Sequence, residues 1–232
     1  MYQKIIENII SPMSDKLLGL SINSDLKENK QIQWYKTHEL NSLQKKKLIE
    51  ILNHSYNNIP YYQKIFQEYS FNINGDIYQE LKKVPFLTKH IIKKNLPYGL
   101  IDNKRNIYTI EKTSGSSGEQ GVFYLDQEAF SKIIAAQTLF WEWAGYRFGK
   151  RSLQTGINPE RGLKKHLKDL LLLINYADAF KINEEIIKNT LEPFRNKKNV
   201  HFIGYPSSIY SYAVFAEKLG INDVSFDSVI SL

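Results

Sequence analysis

The stretch "NIYTIEKTSGSSGEQGVFYLD", residues 106–126, decides the fold class of this chain. Its first part alternates β-branched and aromatic residues with polar ones, which predicts a strand, and "GVFYLD" at its end predicts a second strand. Between them, "EKTSGSSGEQG" (residues 111–121) puts seven Thr, Ser and Gly residues into eleven positions. The small residues therefore form a loop between two strands, and they do not form a linker between helices.

The residues before this stretch have helical patterns. "ELNSLQKKKLIEILNHSYNN" (residues 39–58) places its leucines and isoleucines three and four positions apart, which predicts an amphipathic helix. Thr88 stands where a helix N-cap is expected. We expect residues 1–105 to be a mainly helical N-terminal region.

The residues after the stretch alternate between strand and helix patterns. Asp126 is predicted to cap a long helix that ends at Gly145. The predicted strands are 150–157, 200–206 and 224–232, and the predicted helical segments are 162–180, 183–198 (bent or ended at Pro193) and 207–220, capped by Ser207 or Ser208 and ended by Gly220. This alternation predicts that residues 106–232 form an α/β layered domain with a substantially parallel sheet.

Composition excludes several kinds of site. The chain of 232 residues contains no Cys, which excludes disulfides, thiolate nucleophiles and Cys-based zinc sites. None of the five His residues is paired at a metal-ligand spacing, so we expect no metal site. The net charge is +7, but the lysines are scattered beside apolar residues at helical spacing, so we expect solvated helix faces and no nucleic-acid interface. The N-terminus lacks a signal-peptide pattern and the longest apolar run is too short to cross a membrane, so we expect no integral membrane segment and a cytoplasmic protein.

The loop itself has a chemistry that suits phosphate. Successive Gly and Ser residues allow backbone N–H groups to turn inward into an anion-binding nest, and the hydroxyls add donors. The candidate residues for the β- and γ-phosphates of a nucleotide are Thr113, Ser114, Gly115, Ser116, Ser117 and Gly118. The pattern matches neither a Walker P-loop nor a Rossmann fingerprint. A plain hairpin or surface loop of small residues is the alternative, and the residues alone leave both readings open.

Four segments together resemble one enzyme family. "TSGSSGEQG" (residues 113–121) resembles the phosphate-loop signature of adenylate-forming enzymes, Thr-Ser-Gly-Ser-Thr-Gly-x-Pro-Lys. "NIPYYQKIF" (58–66), "VPFLTKHIIKKN" (84–95) and "FIGYPSSIYSYAVFAEKLG" (202–220) are similar to segments of its phenylacetate–CoA ligase and CapK-type branch. These landmarks occur in a compatible order over about residues 40–232.

The resemblance implies a fold and an activity. It implies the layered N-terminal domain of the adenylate-forming fold, with a nucleotide-phosphate-binding subdomain over residues 106–232. Its partners would be ATP, Mg²⁺, a small-molecule carboxylate, and a thiol acceptor such as coenzyme A. It implies phosphate binding by residues 113–118 and an acyl pocket near Gly204, Tyr205 and Pro206. CapK-type members also imply a link to capsule or cell-surface polysaccharide biosynthesis.

The chain departs from the family pattern at two places. Gln120 and Gly121 stand where the family has Pro-Lys, so the lysine charge is missing. The chain also ends at "VISL", before the family's adenine, ribose and further magnesium motifs and before its swivelling C-terminal domain with a catalytic lysine. We therefore expect the truncated N-terminal portion of a ligase, inactive on its own. Two alternatives stay open: a catalytically inactive remnant, and a basic module that binds phosphate or polyanions. A homodimer is compatible with either.

Individual side chains outside the loop carry weaker signals. Ser207 is more typical of a helix cap than of a substrate ligand, whereas Tyr205 is balanced between a turn residue and a pocket residue. His201 enters a buried strand and is expected to be a structural histidine with its hydrogen bonds satisfied. Trp141 and Trp143 stand two positions apart on a helix, so they are expected to point to different faces.

Overall fold

The computed structural model describes residues 1–113, 120–156 and 162–232. Its helices are α1 (Tyr2–Ile5), α2 (Ser11–Leu18), α3 (Ile22–Ile32), α4 (Thr37–Asn58), α5 (Pro60–Glu68), α6 (Ile77–Leu81), α7 (Lys89–Asn95), α8 (Gln127–Trp143), α9 (Leu163–Leu171), α10 (Glu184–Leu191) and α11 (Pro206–Lys218). A π-helical turn, Ile6–Ile10, joins α1 to α2, and a 3₁₀ turn, Glu192–Phe194, follows α10. The strands are β1 (Thr109–Lys112), β2 (Val122–Leu125), β3 (Arg151–Gly156), β4 (Ile174–Asp178), β5 (Val200–Gly204) and β6 (Ser228–Ser231).

The chain divides into two compact units. The first consists of residues 1–26 and 134–232, and the second consists of residues 27–133. The first unit is therefore discontinuous in sequence. The boundary that we expect between a helical region and a phosphate-binding subdomain, at 105/106, is a functional division and stays a prediction.

The first unit is built on a four-stranded parallel sheet. Its strand order is β4-β3-β5-β6, with Leu153 of β3 opposite Phe202 of β5 and Phe202 opposite Val229 of β6. All five residues of β5 are buried, as is usual for a parallel strand covered on both faces. Chain order reverses between β3 and β5, because β4 is added on one side of β3 and β5 on the other.

Apolar residues of the sheet and of α10 and α11 form the main core of this unit. Leu153, Ile187 and Phe194 are fully buried there, with Phe202 and Tyr212 almost so. A smaller core joins Leu26 to Ala135 and Leu139 of α8. Since each buried aliphatic or aromatic side chain contributes about 1.5–3 kcal/mol, these clusters are the main source of stability in the unit.

The second unit combines helices with a two-stranded hairpin. Its core contains Leu52 of α4, Phe66 of α5 and Ile77 of α6, and the Phe66 ring stacks on Phe71 with 4.3 Å between centroids. β1 and β2 pair antiparallel, with Lys112 opposite Val122. The hairpin leads into α8 through Asp126.

Most of the predicted elements are confirmed. The two strands around the Gly/Ser loop, the long helix after Asp126, and the strand–helix–strand order of the C-terminal part all occur. The Thr88 hydroxyl accepts from the backbone N–H of Ile91, so its N-cap role is confirmed. Gly220 follows α11 with a φ of +64°, in the left-handed region that favours Gly after a helix. The α/β fold class is correct.

The prediction of a mainly helical segment over 162–180 is wrong in its second half. α9 ends at Leu171, and residues 174–178 form β4. The run of leucines continues the helical period, but Leu173 takes a φ of +55°, which a helix does not allow. Pairing of residues 174–178 with the edge of β3 then decides the conformation, against local propensity.

None of the helices in the described part of the chain is both long and apolar enough to cross a membrane.

Candidate functional site

Thr113 closes the neck of the Gly/Ser loop. Its backbone N–H donates to the carbonyl oxygen of Gly121 at 3.0 Å, and its hydroxyl oxygen accepts from the Gly121 N–H at 2.8 Å. Thr113 is thus the residue that ties the two strand ends together on either side of the loop. The predicted phosphate ligands Ser114, Gly115, Ser116, Ser117 and Gly118 lie outside the described residues.

Gly121, one of the two residues that stand in place of the signature Pro-Lys, has a defined role in this neck. A Cβ at this position would meet the Phe123 ring at 3.1 Å and the Thr113 methyl group at 3.5 Å. The position therefore favours a residue without a side chain, and its N–H is committed to Thr113.

Asp126 fixes the exit of the hairpin into α8. Its Oδ1 accepts from the Ala129 N–H at 2.8 Å, which confirms the predicted N-cap, and its Oδ2 accepts from Arg105 at 2.5 Å. Burial raises the pKa of this carboxyl, but the hydrogen bonds from Ala129 and Arg105 outweigh that effect and hold the pKa below its usual value. The Arg105 guanidinium also contacts Glu128, so one cation holds two carboxylates at the start of the helix.

The carboxyl edge of the parallel sheet is the second candidate site. In open α/β sheets, ligands bind outside the carboxyl ends of strands where the strand order reverses. Here that point lies between β3, which ends at Gly156, and β5, which ends at Gly204. The predicted residues Gly204, Tyr205 and Pro206 are therefore placed together at the edge where such a fold binds ligands.

Gly204 makes room for a hydroxyl pair beneath this edge. Thr155 Oγ1 and Ser208 Oγ lie 2.6 Å apart and both residues are buried. A Cβ on Gly204 would overlap Thr155 Oγ1 and approach Ser208 Oγ to 3.3 Å. Gly204 is thus required by local packing, whatever ligand the edge takes.

The N-cap predicted for Ser207 or Ser208 is wrong. Tyr205 is the N-cap residue of α11, Pro206 occupies the first helical position, and no side chain among the described residues caps this end. The Ser208 hydroxyl instead donates to the carbonyl oxygen of Tyr205 at 2.9 Å and meets Thr155. A helix N-terminus without a side-chain cap presents backbone N–H groups and a positive dipole end, which suit an anion.

Two aromatic rings stand at the same edge. Phe180, just beyond β4, stacks on Tyr205 with centroids 6.3 Å apart, and it is largely exposed. Asp178 holds this turn, because its Oδ1 accepts from the N–H groups of Phe180 and Lys181. These two hydrogen bonds lower the pKa of Asp178, so the edge carries a firmly ionised carboxylate.

Gly156 is the second glycine at this edge whose position has no room for a side chain. It pairs with Asp178 across β3 and β4, and a Cβ there would overlap the hydroxyl of Tyr176. The Tyr176 side chain can lie over the end of β3 because that strand ends in Gly.

Sequence reasoning missed Thr155, Tyr176, Asp178 and Phe180. The last three lie in or directly after β4, which the sequence pattern assigned to a helix. The short "NYAD" segment followed by an exposed Phe was the available signal, and the preceding leucine run concealed it.

His201 and the two tryptophans are only partly as expected. His201 is buried and its Nδ1 lies 2.7 Å from Ser228 Oγ, but its Nε2 has no hydrogen-bond partner among the described residues. The expectation of a fully satisfied histidine is therefore wrong.

Trp141 packs edge-on against Tyr146 whereas Trp143 is 65% exposed, so the two point to different environments as predicted.

The described residues contain no group of three or more His, Asp or Glu side chains placed to hold a metal ion.

Comparison with known sequences gives one informative relative. No protein-family model matches the chain. Protein CapK of Staphylococcus aureus is 26% identical over 167 residues, which cover 67% of this chain and 37% of that protein.

Comparison with solved structures gives the fold. A crystal structure of 2-hydroxyisobutyryl-CoA ligase with 2-HIB-AMP and CoA in the thioesterification state matches with a TM-score of 0.59 at 17% identity, covering 79% of this chain and 40% of that one. An open conformation of the same ligase with 2-HIB-AMP and CoA matches with a TM-score of 0.59 at 16% identity, covering 79% and 44%. The chain thus spans less than half the length of each of these proteins. It is similar in sequence to CapK, and its fold is that of the N-terminal part of an adenylate-forming ligase.

Proposed function

We propose that this chain provides the N-terminal part of an ATP-dependent ligase that activates a carboxylate as an acyl-adenylate. The observation that carries the proposal is the carboxyl edge between β3 and β5. There the N-terminus of α11, which has no side-chain cap among the described residues, lies at the reversal of strand order together with the Tyr205–Phe180 pair and the close approaches at Gly156 and Gly204. The structural likeness to a CoA ligase that binds an acyl-AMP supports the same assignment.

In this proposal the Gly/Ser loop binds the pyrophosphate end of ATP. Thr113 and Gly121 are hydrogen-bonded to each other, which holds together the two strand ends on either side of this segment. Backbone N–H groups and hydroxyls would then neutralise the β- and γ-phosphates. The absent signature lysine leaves this work to the backbone and to Ser and Thr side chains.

Gly204, Tyr205 and Pro206 would form one wall of the acyl pocket. The ring of Tyr205, held against Phe180, offers an apolar surface for the acyl group, and the α11 N-terminus favours the carboxylate or the adenylate phosphate. The carboxylate oxygen attacks the α-phosphorus in line, the bond to the bridging oxygen of the β-phosphate breaks, and pyrophosphate leaves. This chain's contribution is positioning and charge stabilisation.

Magnesium is the expected companion of ATP in such a reaction. The described residues hold no cluster of three or more side chains that could bind such an ion. A coenzyme A thiol as acyl acceptor extends the proposal, and it is supported by the CoA bound in the similar ligase structure. A role in capsule or cell-surface polysaccharide biosynthesis and a cytoplasmic location stay expectations from the sequence.

The test is nucleotide binding by the purified chain. We expect ATP to raise the melting temperature of the chain, and Ser116→Ala and Gly118→Val to abolish that rise while leaving the melting temperature without ATP nearly unchanged. Gly162→Val is the matched control, because Gly162 is exposed and a Cβ there meets nothing within 4 Å. Equal ATP effects in all variants would refute the phosphate assignment of the loop.

Two further measurements separate the rival functions. The net charge of +7 favours a polyanion-binding module as a second candidate; its mark would be a salt-dependent affinity for heparin that the loop variants do not change. Acyl-dependent exchange between ATP and pyrophosphate by these 232 residues would contradict our expectation that the complete ligase is needed for turnover. Absence of any nucleotide effect in the wild-type chain would favour an inactive remnant.

A further inference from the structure

His201 lies in a row of polar side chains that crosses three strands of the parallel sheet. It stands directly opposite Ser152 on β3 and Ser228 on β6. Ser152 and His201 are almost inaccessible to solvent, and the His201 Nδ1 lies 2.7 Å from the Ser228 hydroxyl oxygen. The ring is therefore a polar group of the interior that is hydrogen-bonded to the last strand of the sheet.

The neutral ring of His201 suits this place, and the protonated ring does not. Neutral imidazole has one donor and one acceptor nitrogen, so the Ser228 hydroxyl can satisfy Nδ1 in either tautomer. A protonated ring donates from both nitrogens, and Nε2 is buried without a hydrogen-bond partner in the described part of the chain. A charged N–H group that is buried without an acceptor is strongly disfavoured. Uptake of a proton therefore requires that water reach the ring.

The titratable groups around the ring do not remove this cost. Lys150, in the turn before β3, opposes a second positive charge, and its Nζ donates to the carbonyl oxygen of Gly145. Asp227, which precedes β6, acts in the opposite direction, but it is exposed and its effect is smaller. Tyr146 packs edge-on against the ring, and burial raises the pKa of its hydroxyl, so it stays neutral. Burial first, and Lys150 second, thus hold the pKa of His201 below its usual value.

β6 is the element around the ring that can move with the least loss of structure. In the described part of the chain it pairs with β5 alone, whereas β3 pairs on both sides. Val229 and Leu232 are more than half exposed. The opposite side is held more firmly, because Tyr146 is 1% exposed and packs edge-on against Trp141. Elements with few buried contacts are those that open locally while the rest of the fold persists.

We propose that uptake of a proton by His201 opens β6, so that the last strand is a pH-sensitive element of the first unit. The solvated ring of the open form takes up a proton at about pH 6.5, whereas the closed form takes it up only at a lower pH, so acid favours the open form. Opening also reaches the carboxyl edge of the sheet, because the N–H of Leu232 donates to the carbonyl oxygen of Gly204 at 3.0 Å. Acid therefore removes a hydrogen bond from the residue next to Tyr205.

Hydrogen exchange of the wild-type chain tests the opening of β6. No ligand is needed, so the outcome does not depend on the ligase assignment. Between pH 7.5 and 5.5, after correction for the intrinsic exchange rate, the opening constant of the peptide 226–232 should rise about tenfold. The peptide 173–179, which contains the opposite edge strand β4, is the internal control. Its opening constant should stay nearly the same, because β4 can open without exposing His201.

Two variants assign the effect to the ring. His201→Asn should remove the rise in the peptide 226–232, and a general loss of stability does not hide this result, because the two pH values are compared within one variant. His166→Asn, at an exposed position of α9, should behave as the wild type does. An opening constant of β6 that does not change in the wild type, an equal rise in β4 and β6, or a full rise that persists in His201→Asn would each overturn the proposal.

Discussion

Thr155 Oγ1 and Ser208 Oγ lie 2.6 Å apart in the interior and tie the end of β3 to the first turn of α11. Ser208 also donates to the carbonyl oxygen of Tyr205, so one buried hydroxyl fixes the strand end, the turn and the helix start. The candidate ligand edge is therefore held in place from below, by residues that a ligand at the edge need not touch.

Removing the Ser208 hydroxyl should destabilise the chain. Ser208→Ala leaves Thr155 without this partner in a buried place, and we expect a loss of about 1–3 kcal/mol in the free energy of unfolding. Ser207→Ala, at an exposed position next to it, should change that free energy by less than about 0.5 kcal/mol. Urea unfolding of the two variants measures the difference; equal effects would mean that the buried hydroxyl pair contributes nothing.

Gly204→Ala should conflict with Thr155. The new methyl group overlaps Thr155 Oγ1, and we expect a loss of about 1–3 kcal/mol in the free energy of unfolding. Removing the hydroxyl at the same time, in Gly204→Ala with Thr155→Ala, should cost less than the sum of the single changes. A double-mutant cycle by urea unfolding gives the coupling, and strict additivity would contradict this account of Gly204.

His201 should make the stability of the fold depend on pH. Burial first, and the positive charge of Lys150 second, lower its pKa, against a smaller opposing effect of Asp227. As pH falls, the His201 ring of the unfolded chain therefore takes up a proton at about pH 6.5, whereas the same ring in the folded chain takes it up only at a lower pH. Stability is therefore lost as pH falls below that value.

The matched pair for this prediction is His201→Asn and His166→Asn. Unfolding measured between pH 7.5 and 5 should have a smaller pH slope in His201→Asn than in the wild type. The change at His166, which is exposed, should leave the slope near that of the wild type. An unchanged slope in His201→Asn would show that the buried ring is not the source.

Asp126 should stabilise α8 in two separable ways. Asp126→Ala removes both the cap on Ala129 and the ion pair with Arg105, and we expect a loss of about 0.5–2 kcal/mol in the free energy of unfolding at neutral pH. Asp126→Asn keeps the cap and should lose less. Because the pKa of this carboxyl is lowered in the fold, its contribution is present above about pH 3.9 and is lost as pH falls through the lowered value. The free energy of unfolding of the wild type and of both variants, measured against pH, checks this. If the difference between the wild type and Asp126→Ala were as large at pH 2 as at neutral pH, the ionised carboxylate would not be its source.

Local signals predicted the elements whose ends are marked by strong capping or by Gly. Asp126 and Gly145 bound α8, and Gly220 follows α11, so these helices were placed correctly from the sequence. Where strand pairing overrides local propensity, the prediction from sequence was wrong: the leucine-rich pattern of α9 extended the predicted helix over the residues that form β4. The same error hid Asp178 and Phe180, because the contact of Phe180 with Tyr205 depends on strand order and not on spacing along the chain.

The role of Ser208 illustrates a second limit. A Ser near a helix start predicts a cap, and nothing in the local sequence distinguishes a hydroxyl that turns inward to Thr155, 53 positions away. The loop of residues 114–118 was recognised through its similarity to a family signature, and its phosphate-binding role stays a prediction.

The division of the first unit into two stretches of sequence has a consequence for synthesis. Leu26 packs against Ala135 and Leu139, yet residues 27–133 must leave the ribosome between them. At roughly 5–20 residues per second, the N-terminal segment would wait several seconds or more for its partner, with its apolar residues uncovered. The second unit, which is continuous in sequence, can fold during that interval. Nascent chains arrested near residue 130 should therefore be the stage at which a chaperone is needed most, and arrest beyond residue 204 should relieve that need.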